Sequence, residues 1–174
     1  MPGLSIHLSV ANTYINKHKI KDKDAFLLGS VSPDISEDTD ITHHSSPNIR
    51  NNALSFLLGK VILKDCLNDF DISTDFGKGY FLHLVTDYEF YRSLAEDEEK
   101  YRNMSYREIK DILYHDYFAT SKYYKEKYNL VFPEIVKEYD TLGDETPLII
   151  DIKKTDSIIE WLGSLNLSEY LNNL

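Results

Sequence analysis

The sequence predicts an all-α domain, and three observations carry that expectation. Apolar residues recur at three- and four-residue spacing through several long stretches. Capping patterns stand where some of those stretches begin, among them Ser105 with Glu108 in "SYRE". Only "PLIIDI", from Pro147, reads as a strand, and one strand cannot make a sheet. The 174 residues suit one domain, 1–174, that buries about 70% of its unfolded surface.

The elements follow in order. Residues 4–18 place Leu4, His7, Leu8, Ala11, Tyr14 and Ile15 on one helical face. "KDAFLLGS", from Lys23, reads as a short buried helix that ends near Gly29. The next stretch, to about residue 47, is rich in Ser, Thr and Asp and holds Pro33 and Pro47. It reads as a loop of about 18 residues, a length that usually marks function. A helix over 48–65 is expected next, capped by Asn48 or Ser46, with Ala53, Phe56, Leu57, Val61 and Leu63 inward. A long helix over 74–98 and another over 105–128 follow. Residues 131–174 form a C-terminal extension of short helices, at 131–139, at 155–164 and after Leu167.

Composition narrows the function. The formal net charge is -10, so bulk attraction draws the chain to neither nucleic acid nor anionic lipid. An anionic substrate would need a local positive centre. Cys66 is the single cysteine, which excludes an internal disulfide and a thiolate zinc site. The start, "MPGLSIHLSVANTY", lacks the pattern of a signal peptide, and no apolar run has the length of a membrane span. A cytoplasmic protein is the expectation.

Thirteen tyrosines and eight phenylalanines suggest an aromatic-lined cleft and an aromatic core. Within it, "GYFLHLVTDYEFY" sets His83 and Asp87 one helical turn apart on an apolar face. Such a pair is either a buried histidine bonded to a carboxylate or two ligands of one ion. His7 also lies on an apolar face, Asp34 follows Ser32-Pro33 where a turn would start, and His43 and His44 lie in the polar loop. Imidazole and carboxylate together suit zinc, manganese or iron. His18, among Lys17, Lys19 and Lys21, belongs to a solvated face.

The order of these groups, an early apolar-face histidine, then "FLLGSVSPD", "DITHH" and "GYFLHLVTD", resembles the zinc-dependent phospholipase C family of bacteria, over about residues 4–130. The resemblance implies a phospholipase C-like multi-helical fold. It implies that Asp34, His43, His83 and Asp87 hold a zinc ion, with His44 the reserve for His43. It further implies that His7 binds a second ion to which Asp87 bridges. The family's later His-x-x-x-Glu pair is absent, since Ala119 stands four residues after His115. Asp116 is expected to substitute as a ligand, with His115 or Asp116 as acid for the leaving group. The implied activity is hydrolysis of a small-molecule or lipid phosphodiester by a hydroxide on the metal, with Asp87 in the reacting centre. Two alternatives stand beside it. The dipeptide His115-Asp116 also fits an HD-type nucleotide phosphohydrolase, and a helical protein that binds metal or a partner without catalysis would show the same ligands.

Overall fold

In a computed structural model, residues 3–66, 71–139 and 142–174 are described, and they are helical with no strand. The nine α-helices among these residues are α1 (Leu4–Lys17), α2 (Lys23–Val31), α3 (Thr39–Thr42), α4 (Ala53–Gly59), α5 (Asp75–Ala95), α6 (Glu98–Tyr101), α7 (Tyr106–Lys127), α8 (Ile152–Leu162) and α9 (Leu167–Asn172). Two 3-10 segments, Leu63–Cys66 and Glu134–Tyr139, complete the order. No helix among the described residues is long and apolar enough to cross a membrane.

The first helix is buried on more sides than a one-face pattern predicts. It packs against α2, α5, α7 and α8. Its polar positions are buried with the apolar ones, which a helix in the middle of a core requires. Short side chains make this cheap. Ser9 Oγ donates to the Ser5 carbonyl at 2.6 Å, and Thr13 Oγ1 to the Ser9 carbonyl at 2.8 Å, so neither hydroxyl is left without a partner.

The pairing of α2 with α5 sets the site. Gly29, expected to end α2, lies inside it, and the helix runs on to Val31. A Cβ on Gly29 would lie 2.1 Å from the Phe76 carbonyl oxygen, and one on Gly79 would lie 2.0 Å from the Phe26 carbonyl oxygen. The two glycines therefore bring the helix backbones into direct contact. That contact places the end of α2, with Ser30, against the His83 turn of α5.

The expected helix over 48–65 is broken into α4 and the 3-10 turn at Leu63–Cys66. Its cap is Asn52, whose side chain accepts from Ser55 N–H at 2.8 Å, instead of Asn48 or Ser46. The loop before it stops the far end. Ser46 N–H donates to the Gly59 carbonyl at 2.8 Å, and Ser45 Oγ donates to the Lys60 carbonyl at 2.8 Å. Those bonds take carbonyls that a longer helix would have used.

The other long helices begin where their caps predict. The Thr74 hydroxyl accepts from Gly77 N–H at 3.0 Å, and Ser105 and Glu108 form both halves of a capping box. The 74–98 stretch divides into α5 and α6, and 131–139 holds only the 3-10 segment. The run at 148–150 is not a strand. Its three backbone N–H groups donate to the Asp116 carboxylate at 2.7–2.8 Å, so a side chain on α7 replaces the sheet neighbour the segment lacks.

Candidate metal centre

Four elements bring five ionisable side chains together. Helix α1 supplies His7, the turn after α2 supplies Asp34, the C-cap of α3 supplies His43, and α5 supplies His83 and Asp87. His7, His83 and Asp87 form one compact group of potential ligand atoms, and Asp34, His43 and His83 form another. The long segment between α2 and α4 thus delivers Asp34 and His43, and the α2–α5 contact sets Asp34 against the His83 face.

The ring orientations are fixed from behind. His83 Nδ1 lies 2.7 Å from the Ser30 carbonyl, and His43 Nδ1 lies 2.7 Å from the Thr39 carbonyl. A carbonyl only accepts, so each Nδ1 carries its hydrogen and each neutral ring presents a bare Nε2. Those two Nε2 atoms face one another at 3.1 Å. Two lone pairs at that distance repel unless a proton or a metal cation lies between them.

The carboxylates complete a shell. His43 Nε2 is 3.1 Å from Asp87 Oδ2 and 3.4 Å from Asp34 Oδ1. His83 Nε2 is 3.5 Å from Asp87 Oδ2 and 3.8 Å from Asp34 Oδ1. Tetrahedral zinc with bonds near 2.0–2.1 Å sets its ligand atoms about 3.3 Å apart. These spacings fit such an ion. The other oxygens turn toward His7, whose Nε2 lies 3.1 Å from Asp87 Oδ1 and 3.8 Å from Asp34 Oδ2. Each carboxylate therefore offers one oxygen to the His43–His83 side and one to the His7 side. The His7 ring stacks on His83 at 3.6 Å, and His7 Nδ1 and Asp34 Oδ2 are buried without a hydrogen-bond partner.

The charges are coupled. Burial works against a charged His43, yet the Asp34 and Asp87 carboxylates outweigh it and push the imidazole pKa up to about 9. Burial lowers the pKa of His83, and His7 beside it adds to the effect. Burial would raise the pKa of Asp87, but the facing histidines hold it well below the usual carboxylate range, and Asp34 is lowered in the same way. Without a metal, one proton on His43 balances part of this cluster. With a divalent cation, all three rings act as neutral ligands.

Two expectations require correction. Asp116 lies on α7 outside the cluster, where its carboxylate accepts from the N–H groups of Leu148, Ile149 and Ile150 and from His115 Nδ1 at 3.0 Å. Its lone pairs are committed to structure, and it joins no ligand group among the described residues. His115 pairs with Asp116 and, at 3.5 Å, with Glu145, so neither residue is placed to protonate a leaving group at the cluster. His43, not His44, enters the centre; His44 takes a left-handed backbone with φ 52°.

A cavity of about 160 Å³ opens beside the cluster, with His7, Asp34 and Asp87 in its wall. Tyr91 and Tyr117 line it, and their hydroxyls lie 3.1 Å apart. Burial raises both phenols well above their ordinary pKa, so both keep their protons. Sequence reasoning did not single out this pair. The available signal was helical spacing: Tyr91 follows Asp87 by one turn, and Tyr106, Lys110, Leu113 and Tyr117 share a face of α7.

No protein-family model matches the chain, and comparisons with curated proteins and with solved structures return no match.

Proposed function

We propose that the chain is a metal-dependent hydrolase of phosphodiester bonds, with zinc as the first choice of ion and manganese or iron(II) as substitutes. The observation that carries this reading is the 3.1 Å approach of His43 Nε2 to His83 Nε2 between the Asp34 and Asp87 carboxylates, with each Nδ1 held by a backbone carbonyl. A structural histidine–carboxylate contact needs no second imidazole aimed at the same point. The unpartnered Asp34 Oδ2 and the His7 ring add a second set of donors on the other side.

Asp34, His43, His83 and Asp87 would hold the first ion. His7 would hold a second, with the remaining oxygens of Asp34 and Asp87. A divalent cation there would act as a Lewis acid on a phosphoryl oxygen and lower the pKa of water beside it. The protein's own groups set the rest. The Ser30 and Thr39 carbonyls lock the imidazoles and raise their basicity. The apolar packing around α5 excludes bulk water. Of the paired hydroxyls of Tyr91 and Tyr117, one hydrogen is free to donate a hydrogen bond to an oxygen of the ester.

The HD-type reading loses its central dipeptide, because Asp116 is occupied by backbone N–H groups. Turnover of bis(4-nitrophenyl) phosphate tests the proposal. The expected result is hydrolysis that depends on added zinc or manganese, vanishes with a chelator, and falls at least 100-fold in Asp87→Asn. Bound metal with no hydrolysis would favour a non-catalytic metal protein.

A further inference from the structure

The cavity beside the cluster gathers three cations in a wall that also holds Asp34, Asp40 and Asp87. The protein carries a formal charge of -10, yet Arg50, Lys60 and Lys110 all line this one opening. Arg50 and Lys110 lie beside aromatic rings, and Arg50 also beside an acid. Lys110 Nζ lies 5.7 Å from the Tyr106 ring centre and 5.5 Å from that of Tyr114, and Arg50 Cζ lies 5.9 Å from the Tyr106 ring centre. Arg50 also pairs with Asp40 in the same wall. Lys60 and Lys110 make no ion pair among the described residues.

The deeper wall is aromatic and small. Phe56, Phe90, Tyr91 and Tyr117 line it, and all four are buried. A cavity of about 150 Å³ accepts one benzene ring, and this one measures about 160 Å³. It has room for about one ring, too little to enclose a pair of acyl chains. Between Tyr91 and Tyr117, one hydroxyl hydrogen joins the two oxygens. The second is left over, in a wall shared with Asp34 and Asp87.

We propose that this cavity binds a compact, ring-bearing phosphate ester, with the ring against Phe56, Phe90 and Tyr91 and the phosphate between the His/Asp cluster and the cations Arg50, Lys60 and Lys110. This rests on the hydrolase reading and narrows its substrate class: a small aryl or heterocyclic ester, not a phospholipid. The leftover tyrosine hydrogen donates to a phosphate oxygen. Arg50 exchanges part of its contact with Asp40 for the ligand.

Calorimetric titration with phenyl phosphate, the product of an aryl diester, tests this with no need for turnover. Inorganic phosphate serves as the ringless control, and both are titrated with and without zinc. The expected result is that phenyl phosphate binds at least tenfold more tightly than inorganic phosphate. Lys110→Gln and Arg50→Gln should each weaken phenyl phosphate about tenfold, the loss of one charge-assisted contact. Equal affinities for the two ligands, or unchanged binding in both variants, would overturn the proposal. Turnover separates this inference from the one beneath it. Selective phenyl phosphate binding without hydrolysis of any diester supports the pocket and defeats the hydrolase. Hydrolysis of a short-chain phosphatidylcholine as fast as of an aryl diester, with KM unchanged in Lys110→Gln, leaves the hydrolase standing and defeats the pocket.

Discussion

Replacing His83 by asparagine separates the two jobs of its ring. The Nδ1–H donates to the Ser30 carbonyl at 2.7 Å, and an asparagine amide placed on the same backbone keeps that donor. What it lacks is the Nε2 that faces His43. An ion that binds only the folded chain adds about 2.7 kcal/mol at 100 times its Kd. For a chain of this size 1 kcal/mol moves Tm by roughly 2–4 °C, so zinc should raise the wild-type Tm by about 5–11 °C over the chelated protein. Loss of one ligand that weakens binding about 100-fold leaves the same zinc concentration near the new Kd, worth about 0.4 kcal/mol. His83→Asn should therefore show a zinc-dependent rise of about 1 °C, with a chelated Tm close to the wild type. His83→Ala should lose the zinc shift as well, and its chelated Tm should also fall, because the Ser30 carbonyl is left unsatisfied in the core at a cost of about 1–3 kcal/mol. Differential scanning calorimetry with zinc and with chelator reads all six values. A full wild-type zinc shift in His83→Asn would refute the reasoning.

Other outcomes follow from the same contacts. Asp116→Asn should destabilise the chain by about 2 kcal/mol in urea unfolding, since three N–H donors, that of Ile150 buried, lose a charged acceptor, while zinc content stays at the wild-type level. Burial alone would raise the Asp116 pKa, but the bonds from 148–150 and His115 bring it below its ordinary value. The stability this contributes is present above an unfolded-state pKa of about 3.9 and is lost as pH falls through the folded value. The acid limb of the stability–pH curve should therefore be shallower in Asp116→Asn. Gly79→Ala forces a Cβ to 2.0 Å from the Phe26 carbonyl oxygen, so it should cost about 3 kcal/mol and lower zinc affinity by moving α5 from α2; unchanged unfolding in urea would contradict that account. Ser105→Ala should cost about 1 kcal/mol through the lost capping box and leave zinc binding alone.

The candidate ligands were legible because they are chemically out of place. His83 and Asp87 interrupt an apolar helix face, His7 does the same on α1, and the loop between Gly29 and Pro47 is long enough to need a purpose. The fold class was legible from spacing and caps, as Ser105 and Glu108 illustrate. What a linear pattern hides is which partner a group meets. Asp116 looked like a ligand because it is an acid beside a histidine, but the three N–H groups that claim it lie more than 30 residues away. Gly29 looked like a helix terminator, and its role is close approach to α5. The stop of α4 comes from Ser45 and Ser46, upstream in the chain and invisible to a local reading. The cations of the cavity were equally hidden, because Arg50, Lys60 and Lys110 come from separate segments.

The central claim is that one cation joins His43, His83, Asp34 and Asp87. Anomalous diffraction at the zinc absorption edge, from crystals grown with zinc, addresses it most directly. The account predicts a strong peak about 2.0–2.2 Å from His43 Nε2, His83 Nε2, Asp34 Oδ1 and Asp87 Oδ2. A map with no peak there, and His43 bonded to Asp87 through a proton alone, would contradict it.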